Sequence, residues 1–202
     1  MATASGALQN LAREFAGVIP DVDTTAEHER WDPGIGPFEE ERQLEMILAA
    51  LADDGTVPSH IEREAGYPSS GRRCDLVVDV GDRDLPVEAK LLRFRLDNGN
   101  IDPNMYKSIF SPFPERSSST LLTDARKLTQ SGFELPCGLL GLYYEKEGEE
   151  YEQLRAERIA EKFERDVDFW YDIDIDTVAI EKFDGLQHAH HQKGAVIGWM
   201  IE

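Results

Sequence analysis

Cysteine is scarce in this chain: Cys74 and Cys137 are the only two in 202 residues. Both sit inside apolar, strand-like runs and read as small buried hydrophobes. Two such residues make neither a disulfide framework nor a cysteine-based zinc site, and they fit a reducing cytoplasm. Long hydrophobic runs are absent too. None approaches the roughly 18 apolar residues that a membrane span needs, so no membrane partner is expected. Met1–Gly6 lack a charged stretch followed by an apolar one, so no export signal is expected and the location reads as cytoplasmic. No internal repeat or low-complexity tract is present. The chain is predicted to form a single domain over 1–202 with a real core.

Positive charge is the most conspicuous shortage. Lys and Arg number 21 against 40 Asp and Glu, for a net charge of −19. A nucleic-acid binder is usually basic, so the total argues against one. The distribution softens that argument. Residues 60–130 hold eleven acidic and eleven basic side chains, and the whole surplus of acid lies outside them. Arginine outnumbers lysine, fourteen to seven. An acidic, lysine-poor surface suits a protein kept soluble in high salt, as in halophilic archaea. There a Debye length of about 3 Å would screen repulsion from DNA. An ordinary acidic cytoplasmic protein has the same composition, and composition leaves the two readings open.

Hydrophobic spacing predicts the elements. Residues 5–17 read as a short amphipathic helix with Leu8, Leu11 and Phe15 on one face, followed by a polar loop through Pro33-Gly34-Ile35-Gly36. Pro37 opens a helix to about Asp53, with Glu39, Glu40 and Glu41 in its first turn. Strands follow at Ile61–Tyr67, Cys74–Val80 and Leu85–Leu92, the last two joined by the turn Gly81-Asp82-Arg83-Asp84. Residues 97–116 read as a long loop, and loops of that length are often functional. A second helix runs from Ser117 to Ser131, with its N-cap in the serine-rich start. Cys137–Tyr144 is a buried strand, Glu149–Trp170 a charged amphipathic helix, and Thr177–Phe183 and Gly194–Ile201 are closing strands. The segments are an N-terminal helix and loop (1–36), a core (37–144) and a C-terminal helix with two strands (145–202). The fold class is α/β, with a mixed central sheet flanked by helices.

The most informative pattern lies at the ends of two neighbouring strands: Asp75, then Glu88-Ala89-Lys90. Period-two alternation sends Glu88 and Lys90 to one side and Ala89 to the other. Carboxylate oxygens bind hard cations such as Mg²⁺. A lysine beside them can position a water or balance charge on a phosphate. Together they are a minimal kit for metal-assisted phosphodiester hydrolysis.

Asp75…Glu88-x-Lys90, set after a glutamate-bearing helix and before an amphipathic one, resembles the PD-(D/E)XK nuclease superfamily of restriction-endonuclease-like fold. The resemblance covers roughly residues 37–144. It implies a helix–strand–strand–strand–helix–strand core (αβββαβ), here with a further helix and two C-terminal strands. Cys74 stands where the motif has its proline, a position that packs and does not ligate. The resemblance implies that Asp75, Glu88 and the backbone carbonyl of Ala89 hold Mg²⁺, or Mn²⁺ as a substitute, and that Lys90 orients the attacking water. It implies a nucleic acid as partner, with DNA preferred, and leaves a homodimer open. It also implies a glutamate from the first core helix. Helical projection favours Glu41, with Glu40 close behind and Glu39 and Glu45 further round. A catalytically weak binding or interaction module on the same fold is the alternative.

Around this motif, Lys127 and Asp124 at i, i+3 are candidates to support Glu88 or touch a phosphate, or they form a plain surface ion pair. Arg72, Arg73, Arg93 and Arg95 flank the motif strands as candidate phosphate contacts or as solubilising charges. His188, His190 and His191 form the only histidine cluster. It lacks the spaced partners of a zinc site and reads as a loop cluster without catalytic role, or as a phosphate contact. Trp31, Trp170 and Trp199 are expected to pack.

Overall fold

The computed structural model describes residues 3–30, 32–53, 61–81, 83–113, 119–149 and 151–202. Helices α1 (Ala4–Thr25) and α2 (Glu40–Asp53) come first, then strands β1 (Ile61–Gly66), β2 (Arg73–Asp79) and β3 (Asp84–Arg93). Helices α3 (Pro103–Phe110) and α4 (Leu121–Thr129) lead to β4 (Cys137–Glu145). A short 3-10 turn at Glu152–Leu154 precedes α5 (Ala156–Tyr171), and β5 (Ile175–Phe183) and β6 (Lys193–Ile201) close the chain.

Among the described residues the strands form one six-stranded sheet in the order β1-β2-β3-β4-β6-β5. Every neighbouring pair is antiparallel except β3 and β4. That parallel pair needs a crossover, which α3 and α4 supply. The fold is thus α/β with a mixed sheet between two helical layers. Leu8, Phe15, Ile19, Leu44 and Ile47 of α1 and α2 pack on one face with Val87, Ala89 and Leu140. Leu122, Ala125, Ile159 and Phe163 of α4 and α5 pack on the other with Leu92, Leu139 and Trp199.

β3 alternates cleanly, with Val87, Ala89 and Leu91 in the α1/α2 layer. β2 does not. Leu76 faces α1/α2 and Val77 the opposite layer, yet Cys74 packs with Val77 where strict alternation would send it the other way. The β2–β3 ladder stops at the pair Leu76↔Val87. Beyond it the Cys74 thiol donates to the carbonyls of Leu76 (3.2 Å) and Val87 (3.3 Å), and Asp75 Oδ2 accepts the backbone N–H of Ala89 at 2.8 Å. A carboxylate replaces the next rung, and the strands part there.

Several expectations need correction. The first helix does not end at Gly17. It runs through Pro20 to Thr25, because Val18, Ile19 and Val22 bury on the sheet and outweigh the local penalties of glycine and proline. The second begins at Glu40, not Pro37, since the Gln43 amide turns back onto the carbonyls of Gly36 and Phe38. The expected loop at 97–116 contains α3: Asp102 caps it by accepting Asn104 N–H at 2.8 Å, and Pro103 sits at its start. Helix α4 is capped by Thr120 through a capping box with Thr123, and the expected start at Ser117 lies outside the described residues. Trp199 is fully buried against Phe163, whereas Trp170 is 44% exposed, and Trp31 lies outside the described residues.

Candidate active site

The site forms where β2 and β3 part, because the break leaves side chains where a backbone rung would otherwise close. Glu88 and Lys90 leave β3 on the side away from Ala89 and meet α4. Lys127 Nζ lies 2.9 Å from Glu88 Oε1, and Lys90 Nζ lies 3.7 Å from Asp124 Oδ2. Asp124 also receives Lys127 at 3.4 Å, so one buried carboxylate, 1% exposed, bridges two ammonium groups. From the other layer, α2 delivers Glu40. Its Oε1 accepts from Lys90 Nζ at 3.1 Å and its Oε2 from the backbone N–H of Leu91 at 2.5 Å.

The electrostatics follow from burial. Glu88, 3% exposed, has its pKa pushed up to about 8, first by desolvation and then by the charge of Asp75, with Lys127 pulling the other way without cancelling them. Desolvation opposes the Lys90 ammonium, but the charges of Glu40, Asp124 and Asp75 outweigh it and hold Lys90 above the ordinary lysine value. Tyr67, raised by burial and by the Glu88 charge, stays a phenol and donates its hydroxyl to Glu88 Oε1. The Lys127 ammonium also lies 5.4 Å from the Tyr67 ring centroid. Nothing in the sequence around Tyr67 marked it for this place.

Beside Asp75 lies a cleft of about 320 Å³ lined by Glu40, Glu41, Leu44, Arg63, Glu64 and Asp75. Four carboxylates against one guanidinium make it attractive to a cation. A larger cleft of about 470 Å³, between the start of α5 and the β5–β6 edge, holds none of these groups.

The structure thus brings together Asp75, Glu88, Lys90, Glu40, Asp124 and Lys127. It does not put Glu41 on Lys90: Glu41 is exposed on the cleft rim one residue along, because a helix turns about 100° per residue and Glu40 takes the inward direction. Arg93 is not a free phosphate contact. It is buried, donates to the Gly36 carbonyl at 2.6 Å and lies 3.5 Å from Asp97. Arg95 is likewise buried on the Gly99 and Glu149 carbonyls. Arg73 is exposed and pairs with Glu64 at 3.5 Å, and Arg72 is exposed beside it. Ala89 buries its side chain in the α1/α2 layer, opposite Glu88 and Lys90.

The donor set of Asp75, Glu88 and Glu40 is all oxygen, which suits Mg²⁺. These three do not close to within 4.8 Å of one another. Glu88 is held by Lys127 and Tyr67, and binding would draw it off Lys127. The described residues that do close to that distance are Asp97, His188 and His191, of which both histidines are fully buried. Compared with protein-family models, with curated proteins and with solved structures, the chain gives no match.

Proposed function

We propose that this protein is a Mg²⁺-dependent nuclease of restriction-endonuclease-like fold that hydrolyses phosphodiester bonds in DNA. The observation that carries this reading is the meeting of Asp75, Glu88, Glu40 and a charged, tethered Lys90 at the break between β2 and β3. The order helix α2, three antiparallel strands, crossover helix α4 and parallel strand β4 supports it, since the family core has the same order.

Asp75 and Glu88, with the Ala89 carbonyl, are the groups that would hold the ion, which when bound supplies a polarised phosphate and a water of lowered pKa. Lys90 is fixed from two sides, by Glu40 and Asp124, so its ammonium is ready for the attacking water or for charge developing on the phosphate. Glu40 orients Lys90 and fixes the Leu91 backbone. Tyr67 keeps a neutral donor on Glu88, and Lys127 is the second ammonium of the site.

A second reading rests on the pairing itself. Glu88 and Glu40 each already have a lysine partner, as a domain retaining the fold without chemistry would also show. Plasmid cleavage in high salt with Mg²⁺ separates the two. Wild type should cut, and Asp75→Asn should not, although its side-chain oxygen can still accept the Ala89 N–H. Calorimetry should show Mg²⁺ or Mn²⁺ binding that Asp75→Asn loses. Equal cutting by wild type and by the Glu88→Ala, Lys90→Ala double variant would trace the activity to a contaminant. A folded wild type that neither binds the ion nor cuts would leave the binding module standing.

A further inference from the structure

The histidine cluster has a partner that its local sequence does not show. Asp97, from the turn after β3, comes to His188 and His191, from the connection between β5 and β6, and one ligand atom of each lies within 4.8 Å of the others. Both imidazoles are 0% exposed. Asp97 Oδ1, His188 Nε2 and His191 Nδ1 are buried atoms without a hydrogen-bond partner among the described residues. Buried polar atoms left open are costly, and two of these, Asp97 Oδ1 and His191 Nδ1, lie 3.9 Å from each other.

The protonation pattern is readable at His191. Its Nε2 lies 3.1 Å from the Arg95 carbonyl, which can only accept, so Nε2 carries the proton and Nδ1 presents its lone pair to Asp97. A ring nitrogen fixed by a carbonyl on one side and open on the other is the arrangement of a metal-bound imidazole. Asp97 Oδ1 and His191 Nδ1 are 3.9 Å apart, too far for a hydrogen bond. Ligands on a tetrahedral ion with bonds of about 2.0–2.1 Å stand about 3.3 Å apart, a small contraction away. Arg93 Nη1, 3.5 Å from the same Asp97 oxygen, gives its hydrogen bond to Gly36 instead. His188 must exchange tautomer to ligate through Nε2, giving up the 3.2 Å contact from His190 N–H to its Nδ1.

The surroundings are built to hold these rings. A Cβ on Gly36 would lie 2.6 Å from the His191 Cβ, and one on Gly34 would lie 3.3 Å from the His188 Cβ. The buried Asp23 carboxylate accepts Ile35 N–H at 2.8 Å and Gln187 N–H at 2.7 Å, tying both loops to the end of α1. The loop so pinned runs directly into α2 and Glu40.

We propose that Asp97, His188 and His191 form a structural site for Zn²⁺ or a similar borderline divalent cation, fastening the β5–β6 connection to the turn after β3 independently of the carboxylate site. Two imidazoles and one carboxylate select such an ion over Mg²⁺. The fourth position falls to a water.

Untagged full-length protein, stripped with chelator and then dialysed, tests this by titration with Co²⁺ and Zn²⁺ in excess Mg²⁺. Wild type should bind one equivalent of Co²⁺ with the visible bands of a tetrahedral site, and Zn²⁺ should displace it and raise the melting temperature. Asp97→Asn, close in shape, and His188→Ala should lose the bands, while Asp75→Asn keeps them. Folded, stripped wild type that binds no Co²⁺ overturns the site whatever the variants do. So does equal binding by Asp97→Asn, or loss of binding in Asp75→Asn.

Discussion

Glu40 on α2 grips β3 twice, taking the Lys90 ammonium at 3.1 Å and the Leu91 backbone N–H at 2.5 Å. One side chain therefore couples the docking of a helix on one face of the sheet to the aim of a lysine that leaves β3 toward the other. Its neighbour Glu41, one residue on, faces the cleft rim.

That difference sets the first test. Glu40→Gln keeps an oxygen for Leu91 N–H but removes the charge that holds Lys90. In the proposed nuclease it should lower kcat at least about tenfold more than Glu41→Gln, within the range of roughly 10²–10³ seen when a charge-stabilising group is lost. Single-turnover cleavage of a labelled duplex measures the ratio. Equal losses would remove Glu40 from its positioning role.

The Lys90 ion cluster also carries stability. Lys90→Met keeps the aliphatic stem but leaves Glu40 and the buried Asp124 short of a cation, which should cost about 3 kcal/mol. Adding Asp124→Asn removes one stranded charge, so the double variant should be less destabilised than the sum of the singles. Urea denaturation of the four proteins gives the coupling, and strict additivity would deny it.

Much of this site was legible from residue patterns. Period-two alternation along β3 correctly sends Glu88 and Lys90 one way and Ala89 the other, because that strand is regular and buried on both faces. The break at Asp75 was not legible, since it shows only as Cys74 changing faces. The helix spacing that favours Glu41 marks an apolar face, but it is Glu40 that reaches Lys90 and the Leu91 backbone, contacts made across the fold that spacing along α2 does not encode. Residues 97–116 read as a loop, although Asp102-Pro103-Asn104 within them also reads as an N-cap followed by proline at the first helical position. Tyr67 and Asp97 reach their partners only through the tertiary fold, and no local spacing encodes that.

Glu88 should make stability depend on pH. Its native pKa of about 8 lies above the ordinary value of 4.5, so between those values the native state binds a proton that the unfolded chain releases. The contribution is fully present below about pH 4.5 and is lost as pH rises through 8. Raising pH from 6 to 9 should therefore destabilise wild type by about 1–3 kcal/mol more than Glu88→Gln, which cannot titrate there. Denaturant midpoints at the two pH values decide it, and parallel slopes for the two proteins would mean that Glu88 is ionised throughout.

Two glycines give opposite expectations for the same substitution. Gly17 lies on the exposed side of α1, where a Cβ would meet nothing within 4 Å. Gly17→Ala should stabilise the protein by about 0.5–1 kcal/mol, through helix propensity and a less flexible unfolded chain. Gly36 sits in the loop packed against the histidines, and a Cβ there would lie 2.6 Å from the His191 Cβ and 2.7 Å from its Nδ1. Neither the buried ring, held at the Arg95 carbonyl, nor the loop, held by Arg93 and Gln43 at the Gly36 carbonyl, can yield without losing a hydrogen bond. Gly36→Ala should therefore cost about 1–3 kcal/mol. The displaced loop leads into Glu40, so the damage should reach Lys90 as well: the variant should lose cleavage beyond what its unfolded fraction accounts for. Thermal melts of both variants, with cleavage assayed well below the melt, test this. A stable Gly36→Ala protein with full cleavage would show that the histidine packing and the α2 entrance are uncoupled.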